Sequence, residues 1–277
     1  MRCPVFPVGG RYHPLVPLSP PLAFPAVGPG EPIVLSATTF VVFGKCPEQA
    51  VGRLRGMYPV ESRAGFVGGL AHRLFARHLS VGPIEEGSFA TACREEIGAA
   101  MNHKLGALGL RPSQLGQVIE EAAGLYRRFC RLGLAGFAGA EVELEANPAE
   151  GVTLRGTVDA VFNEGEGGMR LTDWKTGSMG DPVPQLAFYA LLWALARGDL
   201  PGLVEAVSLA SGERLEEVPT RAGVEETAAA AAAAVSLLRA ALVTDGHLER
   251  AAGPWCRWCP LLDECEEGRA ATALLGD

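Results

Sequence analysis

The segment from residue 141 to residue 177 constrains the fold most, because it reads as three strands in a row with little chain between them. "EVELEA" (141–146), "GVTLRGTVDAVF" (151–162) and "MRLTDWKTG" (169–177) are β-rich and are separated by turns rich in Gly, Asn and Glu. They read as three successive strands joined by turns, and the sheet starts here. The next segments extend the sheet. "PVPQLAFYALLWALARG" (182–198) is an amphipathic helix, "LVEAVSLA" and "ERLEEVP" form a strand hairpin, and residues 224–243 are helical by alanine propensity, with Leu237, Leu238 and Leu242 as the apolar stripe. Upstream, residues 35–136 carry helical periodicity, with Ser36 as a cap and Pro112 at a helix start. Nine prolines in the first 33 residues suit an extended arm open to disorder.

The last strand ends on Asp173, Trp174 and Lys175. Side chains two apart leave one face, so the acid and the ammonium aim at a single point. An isolated pair of this kind is most often a strand-end ion pair, and its neighbours decide otherwise. If the "NEGEGG" loop (163–168) turns a hairpin centred near Glu166, Asp159 falls opposite Asp173, with Cβ atoms about 5 Å apart. Two carboxylates that close need a proton or a cation between them. Two acids and a lysine at a strand end suit Mg²⁺ or Mn²⁺, whose bound water can attack a phosphodiester. Glu143 alternates as a solvated strand face does and is left outside this group.

In this order, "GTVDAVF", "LTDWKTG" and "QLAFY" resemble the PD-(D/E)XK nuclease superfamily, and specifically its RecB-like branch. "LSATTFVVFGKCP" (35–47) and "GGLAHRLF" (68–75) resemble that branch's opening helix and its histidine helix. The resemblance implies an α/β restriction-endonuclease-like core, a mixed central sheet flanked by helices. A helical N-terminal half would precede it, and a C-terminal cysteine cluster would pack on the first helix. On that basis residues 1–33 form the arm and 34–277 one nuclease domain, divided into a helical part (34–136), the sheet and catalytic core (137–245) and a cluster-binding tail (246–277). The implied metal ligands are His72, Asp159, Asp173 and the Trp174 backbone carbonyl. Lys175 is the implied water-positioning or general-base residue, with Gln185 and Tyr189 organising the site. After Cys46 and Pro47 the chain continues "EQAVGRL", where the family usually carries basic and aromatic residues.

Cys256, Cys259 and Cys265 are spaced C-x2-C-x5-C, which can wrap one metal centre. With Cys46 they resemble the one-plus-three pattern that holds a [4Fe-4S] cluster in the AddB nuclease domain and the CRISPR-associated RecB-like exonuclease. Structural zinc on four cysteines is the alternative. Cys3, Cys93 and Cys130 are left over as unliganded.

The expected activity is therefore a metal-dependent DNA nuclease, an exonuclease on single-stranded DNA ends, serving DNA repair, recombination or CRISPR adaptation with helicase or adaptation partner proteins. The alternative is a non-catalytic DNA-binding or assembly subunit that retains the fold. A net charge of −8 excludes a broad basic nucleic-acid surface and leaves room for a narrow channel. The apolar run Leu186 to Ala196 is too short to span a bilayer, and with no secretory signal the expectation is a cytoplasmic protein without a membrane partner.

Overall fold

The computed structural model describes residues 17–275. Residues 17–32 of the proline-rich arm run extended over the body. The Leu18 N–H donates to the Gly198 carbonyl at 2.8 Å, and Leu18, Leu22, Phe24 and Val27 pack against the core. Residues 1–16 of the expected arm lie outside the described residues.

The N-terminal half is helical, as its periodicity requires, except for one short strand. β1 (Ile33–Ser36) precedes α1 (Ala37–Lys45), whose first turn is capped by Ser36 accepting from the Thr39 N–H. Then come α2 (Pro47–Leu54), α3 (Arg63–Val81), α4 (Phe89–Ala100), α5 (Asn102–Leu108) and α6 (Pro112–Phe129). β1 was not legible as a strand. Four residues are too few for a periodicity, and this strand exists through its pairing with residues 152–155, far along the chain.

The strand block then appears as β2 (Phe137–Ala149), β3 (Val152–Asn163) and β4 (Met169–Lys175). It is followed by α7 (Val183–Arg197), β5 (Leu203–Ser208), β6 (Arg214–Glu217), α8 (Arg221–Val243) and the terminal α9 (Glu266–Leu275). β3 organises the sheet. One of its edges carries β2, antiparallel; the other is shared, with β1 parallel beside Val152–Arg155 and β4 antiparallel beside Ala160–Asn163. β4 continues in parallel to β5, and β5 pairs with β6 antiparallel. Residues 156–159 thus have no ladder partner on that edge, and the sheet forks there.

Two apolar layers cover the sheet. α7, α8 and β1 close one side around Leu154, Leu171, Phe188, Leu192 and Leu238, while α3, α4 and α6 close the other around Phe66, Phe75, Phe129, Phe162 and Trp174. This is a mixed α/β core flanked by helices, consistent with a restriction-endonuclease-like fold. By length and composition α8 could cross a membrane, but half of that stretch is buried in the fold. Its buried stripe is Val224, Ala228, Ala231, Val235 and Leu238. Leu237 and Leu242 lie off that stripe, 48% and 36% exposed, because the 3.6-residue period turns them outward.

Arg239, on the same helix, is 6% exposed and donates to four backbone carbonyls: Gly28 (2.8 Å), Glu31 (3.0 Å), Glu150 (3.1 Å) and Gly151 (2.7 Å). It fastens the arm and the β2–β3 turn to α8. Arg239→Leu strands these acceptors away from water, and urea unfolding should register a loss of about 2–4 kcal/mol.

Candidate active site

At the end of β4, Asp173 is 4% exposed and Lys175 sits beside it. The Lys175 ammonium lies 2.8 Å from Asp173 Oδ2 and donates to Gln185 Oε1 at 2.7 Å. Gln185 Nε2 in turn donates to Asp173 Oδ1 and to the Tyr189 hydroxyl, each at 2.8 Å. Gln185 and Tyr189 share a face of α7 because they are four apart. Asp173 Oδ2 accepts no aligned hydrogen bond despite its ion pair, so it keeps a lone pair for another electrophile.

The β3–β4 register pairs Ala160 with Thr172, and carried one step further it sets Asp159 opposite Asp173. The ladder stops there because the Asp159 carboxylate takes over. Its Oδ2 accepts the Trp174 N–H at 2.6 Å and its Oδ1 lies 3.0 Å from His72 Nδ1. The N–H and C=O of one strand residue leave on the same side, so the Trp174 carbonyl faces the fork as well. The indole ring goes the other way and packs edge-on against Phe129 and Phe162, with centroids 5.7 and 6.5 Å away.

Two motif glycines make the close approaches possible. A Cβ on Gly68 would lie 2.7 Å from Thr176 Oγ1, so a larger residue there would have to displace the Thr176 side chain for α3 to seat against the end of β4. His72, one turn later on the same face, then reaches Asp159. A Cβ on Gly156 would meet Leu192 and Tyr189 at 3.0 Å, so this glycine admits α7 against β3.

Glu141 also belongs here, although its sequence context gives it the look of a solvated strand residue. Ligand atoms of His72, Glu141 and Asp159 lie within 4.8 Å of one another. Ala140 and Ala160 pack in the α3-side core, whereas Val142 and Val158 pack in the α7-side core. Both strands therefore turn over at Glu141 and Asp159, and Glu141 takes a left-handed φ of +49° at that crossing. A signal for it exists in the sequence: the β2–β3 turn is centred near residue 150, and mirroring Asp159 about it lands on Glu141.

The charges are out of balance. Burial and the Asp159 carboxylate push Asp173 up to about 6, against the pull of Lys175 and His72. Glu141, exposed at the rim of the site, is raised by partial desolvation and by the Asp159 carboxylate. Burial lowers His72, but Asp159 outweighs it and the imidazole ends above its usual value. Burial and the Asp173 and Asp159 carboxylates raise Tyr189, which stays a phenol. An oxygen-rich group with surplus negative charge and a free buried carboxylate lone pair fits a hard divalent cation.

A sequence profile of the PD-(D/E)XK nuclease superfamily matches residues 34–266. The chain belongs to that superfamily. Superfamily membership implies a metal-dependent nuclease that hydrolyses phosphodiester bonds, with DNA as substrate. No curated protein matches the chain. A solved structure, that of SSO0001, is similar at 18% identity, covering 72% of this chain and 94% of that one with a TM-score of 0.32.

In the metal-free PD-(D/E)XK site, the folded state holds the Asp173 proton more tightly than the unfolded chain does. That contribution to stability is present at low pH and is lost as pH rises through about 6. A cation must displace the same proton. Mn²⁺ affinity should climb by up to about tenfold per pH unit below 6 and level off above it, measured by calorimetric titration.

The four expected cysteines line one pocket. Cys46 lies between α1 and α2, and Cys256, Cys259 and Cys265 come from the tail, beside Glu48, Arg250 and Trp255. Glu48, 3% exposed, clasps that tail by accepting from the Leu248 N–H at 2.7 Å and lying 2.6 Å from His247 Nδ1. Cys93 is buried in α4, where burial pushes its thiol up to about 11. Cys130 departs from the expectation of a leftover thiol, being disulfide-bonded.

Proposed function

We propose that this chain is a RecB-like, metal-dependent exonuclease acting on single-stranded DNA ends, with an iron-sulfur cluster on Cys46, Cys256, Cys259 and Cys265. The observation that carries the nuclease reading is the closed network of Asp173, Lys175, Gln185 and Tyr189 beside Asp159 at the sheet fork.

Asp159, Asp173, His72 and the Trp174 carbonyl would hold Mg²⁺ or Mn²⁺, which when bound supplies an acidified water and charge stabilisation at the phosphate. Lys175, held by Asp173 and Gln185, would orient an attacking water by donating its remaining N–H to it. Gln185 fixes the ammonium and the carboxylate in one plane of contacts. Tyr189 spends its oxygen on Gln185 and keeps its proton to donate to a phosphate oxygen.

For the cysteines, an all-thiolate donor set around one pocket favours a cluster. Among the described residues, no three cysteine sulfurs lie within 4.8 Å of one another. Tetrahedral zinc with bonds of about 2.3 Å needs sulfurs about 3.8 Å apart, so the wider setting suits a polynuclear centre. A cytoplasmic location and work alongside a helicase or CRISPR adaptation proteins belong to this proposal.

Digestion of end-labelled single- and double-stranded DNA with Mn²⁺ tests it. Labelled mononucleotide or short oligonucleotide released from the first time points, faster from single strands, is expected. Internal fragments first, or equal rates on closed circles, would remove the exonuclease assignment.

A further inference from the structure

Between α2 and α3 the chain crosses from one side of the sheet to the other. α2 belongs to the α7–α8 side, where its Ala50 and Val51 are buried. Just past α2, the Arg55 guanidinium donates to the Gly246 carbonyl at 3.1 Å and pairs with Asp245 at 2.8 Å, beyond the end of α8. The start of α8 lies by the end of α7, because one stretch of the arm fastens both: the Leu18 N–H donates to Gly198, and Arg221 to the Pro20 carbonyl, each at 2.8 Å. The end of α8 therefore lies by the start of α7, where Gln185 meets Lys175. α3 belongs to the other side and seats Gly68 against Thr176. Residues 55–62 thus pass over the end of the sheet that carries the site.

Tyr58 stands midway along this crossing and is 59% exposed. The chain that presents it is pinned. The Met57 N–H donates to the Gly52 carbonyl at 2.9 Å, and the Met57 and Leu261 side chains both close over Gly52. The Arg53 guanidinium lies over the Tyr58 ring, 4.9 Å from its centroid. Its neighbours Arg55 and Arg63 are ion-paired to Asp245 and Glu121. Among the described residues, no carboxylate pairs with Arg53. A fixed, exposed ring beside an uncommitted guanidinium matches one unpaired nucleotide: the base stacks on the ring and the cation meets the phosphate.

We propose that Tyr58 and Arg53 form a base-stacking platform that holds a single strand of DNA on its way to the sheet fork. The platform rests on the nuclease reading and deepens it with a source of strand preference, since a duplex keeps its bases stacked on one another and has none to offer the ring. The reach is suitable. Five extended residues and five helical ones separate Tyr58 from Gly68, at most about 25 Å, and single-strand-binding folds hold about 4–16 nucleotides.

Fluorescence anisotropy of end-labelled oligonucleotides with the full chain, in buffer containing EDTA, tests this. Tyr58→Ala is expected to bind a single strand about tenfold more weakly than the wild type, while Tyr58→Phe, which keeps the ring, binds as the wild type does. An abasic strand of the same length, and a duplex, should each bind wild type and Tyr58→Ala alike. Arg53→Gln should lower the slope of log affinity against log salt by about 0.7. Unchanged single-strand affinity in Tyr58→Ala would overturn the platform, as would an equal loss for the intact and abasic strands. Cleavage that persists with Mn²⁺ beside either of those results leaves the nuclease reading standing. No single-strand binding by the wild type, together with no cleavage, would overturn both.

Discussion

Replacing Lys175 with alanine is expected to lower single-turnover cleavage of labelled DNA by about three orders of magnitude, with Mn²⁺ affinity unchanged or slightly higher. Removing a charge-stabilising donor costs about 10²–10³ in rate. Lys175 serves as such a donor. The affinity prediction follows from electrostatics: without the ammonium 2.8 Å from its Oδ2, Asp173 has one positive neighbour fewer and is a better cation ligand. Lys175→Arg should not restore the rate, because a planar guanidinium cannot occupy the point between Asp173 Oδ2 and Gln185 Oε1. Equal cleavage by wild type and Lys175→Ala would remove Lys175 from the chemistry. No cleavage by either across metals and DNA forms would favour the non-catalytic subunit.

The second large effect is expected at the cysteines. Cys256→Ser should abolish the broad absorbance near 400 nm that an anaerobic preparation of the wild type is predicted to show, and should lower the melting temperature by roughly 10–20 °C. The centre joins Cys46 to residues 256–265 and closes a loop of about two hundred residues. Closing a loop of that order is worth about 5 kcal/mol through the unfolded chain, and in a domain this long each kilocalorie moves the melting point by about 2–4 °C. The Glu48 clasp stays in place, so the tail should loosen without the whole domain unfolding. A colourless wild-type protein with stoichiometric zinc would replace the cluster by zinc and keep the stapling.

The site was legible where chemistry and register are local. Asp159 and Asp173 belong to one tight hairpin, so counting from its centre placed them opposite each other. Gln185 and Tyr189 follow from helical spacing. The features that the sequence did not show are set by distant contacts. β1 is a strand because residues 152–155 lie beside it, and the proline-rich stretch 17–32 is held by apolar contacts and by Arg239 on α8. On α8, the small residues Ala228 and Ala231 point inward while the larger Leu237 points out, so size was a poor guide to the buried face. Glu141 was hidden by alternation: "EVELE" reads as a regular strand, whereas the chain turns over at that residue.

The most direct test of the central claim is anomalous scattering from a crystal of the wild-type protein soaked in Mn²⁺. The strongest peak is predicted at the sheet fork, about 2.1–2.3 Å from a carboxylate oxygen of Asp159 and within coordination distance of Asp173. A cleavage-competent crystal whose strongest manganese peak lies elsewhere, or which shows no peak touching Asp159, would contradict the account.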